Sequence, residues 1–148
     1  MDPSLQLTVA GTIEGASSAG ELVTDFLNQQ KVPQDTTYAA VLAVEELLTN
    51  TVRYGYDDKN HHEIALTITV TGDVVVVHLE DDGHEFDPLA APPPDLDRPI
   101  DERPIGGLGI HLVRRMSSRL EYVRENGKNI MTVEFKRSSP AASTEGGH

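Results

Sequence analysis

Glu46 and Asn50 stand four residues apart in the run Ala43-Val44-Glu45-Glu46-Leu47-Leu48-Thr49-Asn50. If that run is helical, a carboxylate and a carboxamide share one face. The amide oxygen suits a hydrated Mg²⁺, and the carboxylate can take a proton from an oxygen attacking a phosphate. An exposed, helix-favouring polar pair is the plainer reading of the same spacing. Asp81-Asp82-Gly83 follows a run of valines. A carboxylate held where a buried strand ends can accept a hydrogen bond from an exocyclic amine, and a glycine two residues on lets a flat ring approach the backbone. Taken alone, the tripeptide reads more plainly as an Asp-Gly turn. Gly106-Gly107-Leu108-Gly109 precedes a helix-like stretch. Glycines there permit close approach of phosphate, and the exposed N–H groups of a helix start bind anions. The Lys-Ser/Thr of a P-loop is missing, and so is the strand spacing of a dinucleotide fold.

These groups need elements to hold them. Leu5 to Val9 reads as a first strand, and Leu22, Val23, Phe26 and Leu27 recur at helical spacing over Ala16 to Gln29. Pro33 should stop that helix. Asp35, Thr36 or Thr37 should cap a second helix that runs to about Tyr54 and stops at Gly55. Strands Glu63–Thr71 and Val74–Glu80 flank a Gly72-Asp73 hairpin turn. Val74-Val75-Val76-Val77 looks like a central strand buried on both faces. Residues 88 to 104 contain six prolines and four Asp or Glu, a composition that excludes helix and central strand. A long segment of that kind is expected to be a lid or a surface loop. A helix through Met116 and a hairpin around Asn126-Gly127, from Arg119–Arg124 and Asn129–Lys136, complete the pattern. The order β, α, α, β, β, loop, α, β, β predicts an α+β two-layer sandwich. Its sheet is mixed and largely antiparallel, with helices on one face. Residues 1–137 read as one domain, with a lid at about 88–105 and a disordered tail at 138–148.

Composition narrows the function. The chain has 148 residues and a net charge of −12, from 12 basic and 24 acidic residues. That balance opposes a nonspecific grip on nucleic acid or an anionic membrane, while leaving room for one nucleotide in a local site. With no cysteine there are no disulfides and no thiolate zinc sites. No signal peptide and no apolar run of membrane-spanning length is visible, which predicts a cytoplasmic protein. His61 and His62 read as solvated rather than metal-bound.

The order of the three signals is more specific than any one of them. In it the chain resembles the ATPase superfamily of gyrase, Hsp90, histidine kinases and MutL, and within that the small bacterial anti-sigma factor serine kinases. Glu46 to Asn50 with Tyr54-Gly55-Tyr56 resembles that family's N box. Asp81-Asp82-Gly83 with Phe86-Asp87-Pro88 resembles its first glycine box, and Gly106-Gly107-Leu108-Gly109-Ile110 with Met116 its second. The similarity spans about residues 5 to 136. It implies a Bergerat-type fold, ATP and Mg²⁺. Asn50 would be the metal ligand and Glu46 the proton acceptor; Asp81 and Gly83 would meet the adenine. Gly107, Leu108 and Gly109 would lie along the phosphates, with Arg103 reaching them from the lid. The family commonly carries His where Tyr54 stands. The resemblance implies phosphorylation of a serine or threonine on a small anti-sigma-factor antagonist, sequestration of a sigma factor, and a possible homodimer. Two alternatives stand beside it: an ATP-dependent binding module with weak or no transfer, and a switch kinase that touches no sigma factor. Glu46 favours transfer over mere binding.

Overall fold

The computed structural model describes residues 2–56, 61–87 and 107–137. The expected lid, Arg103 within it, and the expected tail fall outside them. The elements are β1 (Ser4–Ala10), α1 (Ile13–Gln29), α2 (Gln34–Asn50), a turn of π-helix (Thr51–Gly55), β2 (Glu63–Val70), β3 (Val74–Asp81), α3 (Gly107–Met116), β4 (Arg119–Glu125) and β5 (Lys128–Lys136). The five strands lie in the order β1-β2-β3-β5-β4. Each neighbouring pair is antiparallel, so among the described residues the sheet is antiparallel throughout, with no parallel pair to make it mixed.

Register explains where the core sits. Leu5, Leu7 and Val9 stand opposite Ile68, Leu66 and Ile64. Val75, Val77 and Leu79 stand opposite Phe135, Val133 and Met131. Side chains directly opposite share a face, so these form one apolar surface. It packs against Ala16, Ala19, Val23 and Leu27 of α1 and Ala40, Val44, Leu47 and Leu48 of α2. The four valines of β3 are not buried on both faces, as their composition suggests. Val75 and Val77 are fully buried, whereas Val74 and Val76 are only partly covered on the face without helices. β-branching suits a strand in either setting, so composition did not separate the two.

Helix boundaries follow local chemistry. Thr12 is extended, and its Oγ1 accepts the Gly15 N–H at 2.9 Å, which starts α1 earlier than the apolar spacing suggests. Lys31, in the left-handed region at φ 60°, closes it: Val32 N–H donates to the Leu27 carbonyl and Lys31 N–H to that of Asn28. α2 begins directly after Pro33, with no side-chain cap. Thr36 and Thr37, expected as caps, are instead buried inside the first turns. Thr36 Oγ1 donates to the carbonyls of Lys136 and Arg137, and Thr37 Oγ1 to that of Val32. The Asn126-Gly127 turn has both residues at positive φ, 54° and 76°, as a two-residue hairpin requires. No helix among the described residues is long and apolar enough to cross a membrane.

Candidate functional site

The C-terminal end of α2, the end of β3 and the start of β5 converge. Asn50 is 4% exposed, Asp81 8% and Asn129 6%, and all three line one small cavity with Leu47, Phe86 and Tyr122. Asn50 is the last residue of α2 before the backbone widens into the π turn. Such local unwinding is common at functional positions. The cavity has a volume of about 20 Å³, enough for one water. The ring of Phe86, which lines the cavity, stacks on Tyr54 at 5.6 Å between centroids.

Asp81 is held by a bonded frame. Its Oδ1 accepts the Gly83 N–H at 2.9 Å and Asn129 Nδ2 at 3.0 Å. Both bonds fall on one oxygen, and among the described residues Oδ2 takes no hydrogen bond. Asn129 Nδ2 also donates to the His84 carbonyl at 2.7 Å. Its Oδ1 accepts Tyr122 Oη at 2.5 Å and the Phe86 N–H at 3.4 Å. A buried amide with both ends occupied is fixed in orientation. Arg124 Nη1 donates to the Gly83 carbonyl at 2.8 Å, and His84 N–H to that of Gly55 at 2.7 Å. Asn129, Tyr122 and Arg124 were not singled out in the sequence. The available signal was Asn129's position in an alternating strand whose other inward residues are Met131, Val133 and Phe135. A lone amide in such a set is a buried polar group that needs partners.

Gly83 is required by space. A Cβ there would lie 2.5 Å from the Gly55 carbonyl oxygen and 3.0 Å from Gly55 Cα, and backbone cannot rotate away. Gly83→Ala should cost about 1–3 kcal/mol. A melting experiment should record a drop of about 3–10 °C, with Gly72→Ala as the control, because nothing lies within 4 Å of a Cβ at Gly72.

Glu46 does not line this cavity. It sits half-buried on the α3 side of α2, where a Cβ on Gly109 would fall on its carboxylate. Glu45 faces the other way, against Gly20 of α1. Gly107, Leu108 and Gly109 form the first turn of α3 rather than a loop ahead of it. The second glycine motif thus brings the positive end of a helix to the Glu46 carboxyl. Burial pushes the Glu46 carboxyl above its usual range; Arg53 pulls it down, and Glu45 adds to the rise. A carboxyl whose folded value is raised stabilises the fold below its unfolded value, and that contribution fades as pH rises through the folded value. Glu46→Gln should therefore melt at or above the parent at pH 7 and match it near pH 4. A lower melting temperature at pH 7 would contradict the assigned burial. His61 is exposed beside Glu63 at 3.5 Å, while His62 is partly buried and stacks on Tyr56 at 3.9 Å. His62 is thus packed rather than solvated.

Comparison with known proteins agrees with this fold. Residues 9–135 match the histidine kinase-like ATPase domain family. The chain belongs to that family. It is 32% identical over 96 residues to the serine/threonine-protein kinase BtrW of Bordetella bronchiseptica, covering 65% of this chain and 68% of that one. It is 22% identical over 148 residues to the anti-sigma F factor of Oceanobacillus iheyensis, covering 93% and 97%. It is 24% identical over 136 residues to the serine-protein kinase RsbW of Staphylococcus aureus, covering 88% and 86%. Among solved structures, the RsbU and RsbW domains of a Mycobacterium tuberculosis protein superpose with a TM-score of 0.65 at 18% identity. That match covers 93% of this chain and 33% of the other, so this chain spans about a third of that one. The Pseudomonas aeruginosa SiaB–SiaC complex superposes with a TM-score of 0.57 at 16% identity, covering 89% of each chain. At these identities the structural likeness concerns the fold alone.

Proposed function

We propose that this chain is an ATP-dependent serine/threonine protein kinase that phosphorylates a small anti-sigma-factor antagonist and holds a sigma factor in its absence. The observation that carries the reading is the division of α2. Asn50 lines one cavity with a buried carboxylate, Asp81, while Glu46, one turn earlier, meets the first turn of α3. A nucleotide laid from Asp81 toward Gly109 would pass both. Relatives named as serine kinases and as an anti-sigma factor support the same assignment.

In this reading Asp81 Oδ2 accepts the adenine amine, and Gly83 gives the ring its close approach. Gly107, Leu108 and Gly109, with Arg103, lie along the phosphates. Asn50 would offer its amide oxygen from a partly polar cavity, which suits Mg²⁺; that ion prefers one or two protein oxygens plus phosphates and water. When bound, Mg²⁺ supplies charge neutralisation at the phosphates. Glu46 takes the proton from the substrate hydroxyl as its oxygen bonds to the γ-phosphorus and the bond to ADP breaks. Because its carboxyl is raised, the acid limb of the rate profile should lie above the ordinary glutamate range. Residues 1–137 act as one nucleotide-binding domain, with 88–105 as its lid and 138–148 as a tail. A sigma factor and its antagonist would be met in the cytoplasm, which supports that location, and the role is compatible with a homodimer. Transfer of labelled γ-phosphate to the cognate antagonist tests the kinase. Binding without transfer would leave the ATP-dependent binding module. Transfer with no sigma factor in a pulldown would leave the switch kinase.

A further inference from the structure

A broad concavity lies at the far end of the helices from Asn50, between the start of α2, the end of α3 and the end of β5. It has a volume of about 910 Å³. Tyr38, Ala39, Met116 and Phe135 supply its apolar surface, and Arg115 and Lys136 stand at its edge. Phe135 is 1% exposed and forms part of the floor, whereas Tyr38 is 66% exposed. An aromatic ring that open is a ready contact surface rather than core.

Charge selects the occupant. Acids outnumber bases 24 to 12 in the chain, yet two exposed cations, Arg115 and Lys136, line this groove, and among the described residues neither is paired with a carboxylate; Arg119, which does not line it, is held by Glu134 at 2.7 Å and Glu121 at 3.1 Å. Its one acidic lining residue, Asp35, is engaged locally: Oδ1 accepts the Thr36 N–H at 2.9 Å. Two cations against this one carboxylate leave the lining net basic on an acidic molecule. A second copy related by a two-fold axis would set this basic edge against itself. The chain's own residues 138–148 hold one acid, Glu145, and no bulky apolar side chain. The volume suits a few side chains and not a globular face.

We infer that this groove docks an acidic segment of a partner protein, with a large apolar side chain set between Tyr38 and Met116 and carboxylates facing Arg115 and Lys136. α2 places it about 20 Å from Asn50, so it can fill with or without nucleotide. The inference stands apart from the kinase reading. It is tested without ATP, on ¹⁵N-labelled full-length protein, with two synthetic 12-residue peptides. One carries glutamates around two leucines and a phenylalanine; the other has lysine for each glutamate. The glutamate peptide should shift the amides of Tyr38, Ala39, Arg115 and Met116 while leaving Asn50 and Asp81 in place. The lysine peptide should not. Arg115→Glu with Lys136→Glu should weaken the glutamate peptide about tenfold or more, and about 0.5 M NaCl should weaken it severalfold. No shift, equal shifts with both peptides, or unchanged affinity in the double variant would overturn the proposal. So would the same amides moving with protein concentration alone, which assigns the groove to a second copy. If Glu145→Lys moves those amides without peptide, the groove belongs to the chain's own tail and the proposal likewise fails.

Discussion

Asp81→Asn is expected to fold normally and to lose about 10- to 150-fold in ATP affinity. The replacement is isosteric, and its remaining oxygen can keep both bonds that Oδ1 makes, from Gly83 N–H and Asn129 Nδ2. The new NH₂ then occupies the place of Oδ2, where it presents a donor to the adenine amine, itself a donor. Loss of a charge-assisted hydrogen bond costs about 1.5–3 kcal/mol, and that range gives the stated loss. Calorimetric titration with Mg·ATP measures it, with a melting curve to verify the fold. Asn129→Ala is the companion. It removes the amide that bridges Asp81, His84, Tyr122 and Phe86, so it should lower both melting temperature and affinity, whereas D81N lowers affinity alone. Parental affinity in D81N would remove Asp81 from the adenine site.

Glu46→Gln and Asn50→Ala should fail in different ways, although one helical turn separates them. Asn50 lies in the cavity with Asp81, so N50A should weaken Mg·ATP binding itself. Glu46 lies outside that cavity, against Gly109, so E46Q should bind Mg·ATP as the parent does and transfer phosphate slowly. Loss of a general base costs about 10²–10⁴ in rate. Phosphoryl transfer rests more on positioning and charge than on proton abstraction, which places the expected loss at about 10²–10³. Single-turnover phosphorylation of the cognate antagonist and nucleotide affinity, measured on both variants, separate the effects. Gly109→Ala offers an independent approach to the same carboxylate. Its Cβ would displace the flexible end of Glu46 rather than backbone, so it should slow transfer at little cost in stability. An E46Q protein that transfers at the parental rate would end the assignment of Glu46 as base.

The elements and their order were legible in the sequence because each announces itself over a few neighbouring residues. Helical spacing of apolar side chains placed α1 and α2, and Asn126-Gly127 placed the last turn, since positive φ at both positions selects those residue types. The three chemical motifs could be named because their spacing is local as well. What the sequence left open was every question that depends on which face meets which. It did not say that Glu46 and Asn50 look into different spaces, because four residues on a helix make two side chains neighbours without giving them the same partner. It did not show that β3 is covered on one face only, because valine tolerates both settings. Nor did it show Asn129 beside Asp81, 48 positions away. Antiparallel pairing of β3 with β5 decides that contact by setting Asp81 directly opposite Asn129. Only the completed sheet sets that register, because the side-chain period of two leaves a strand's face undetermined until its partner is in place.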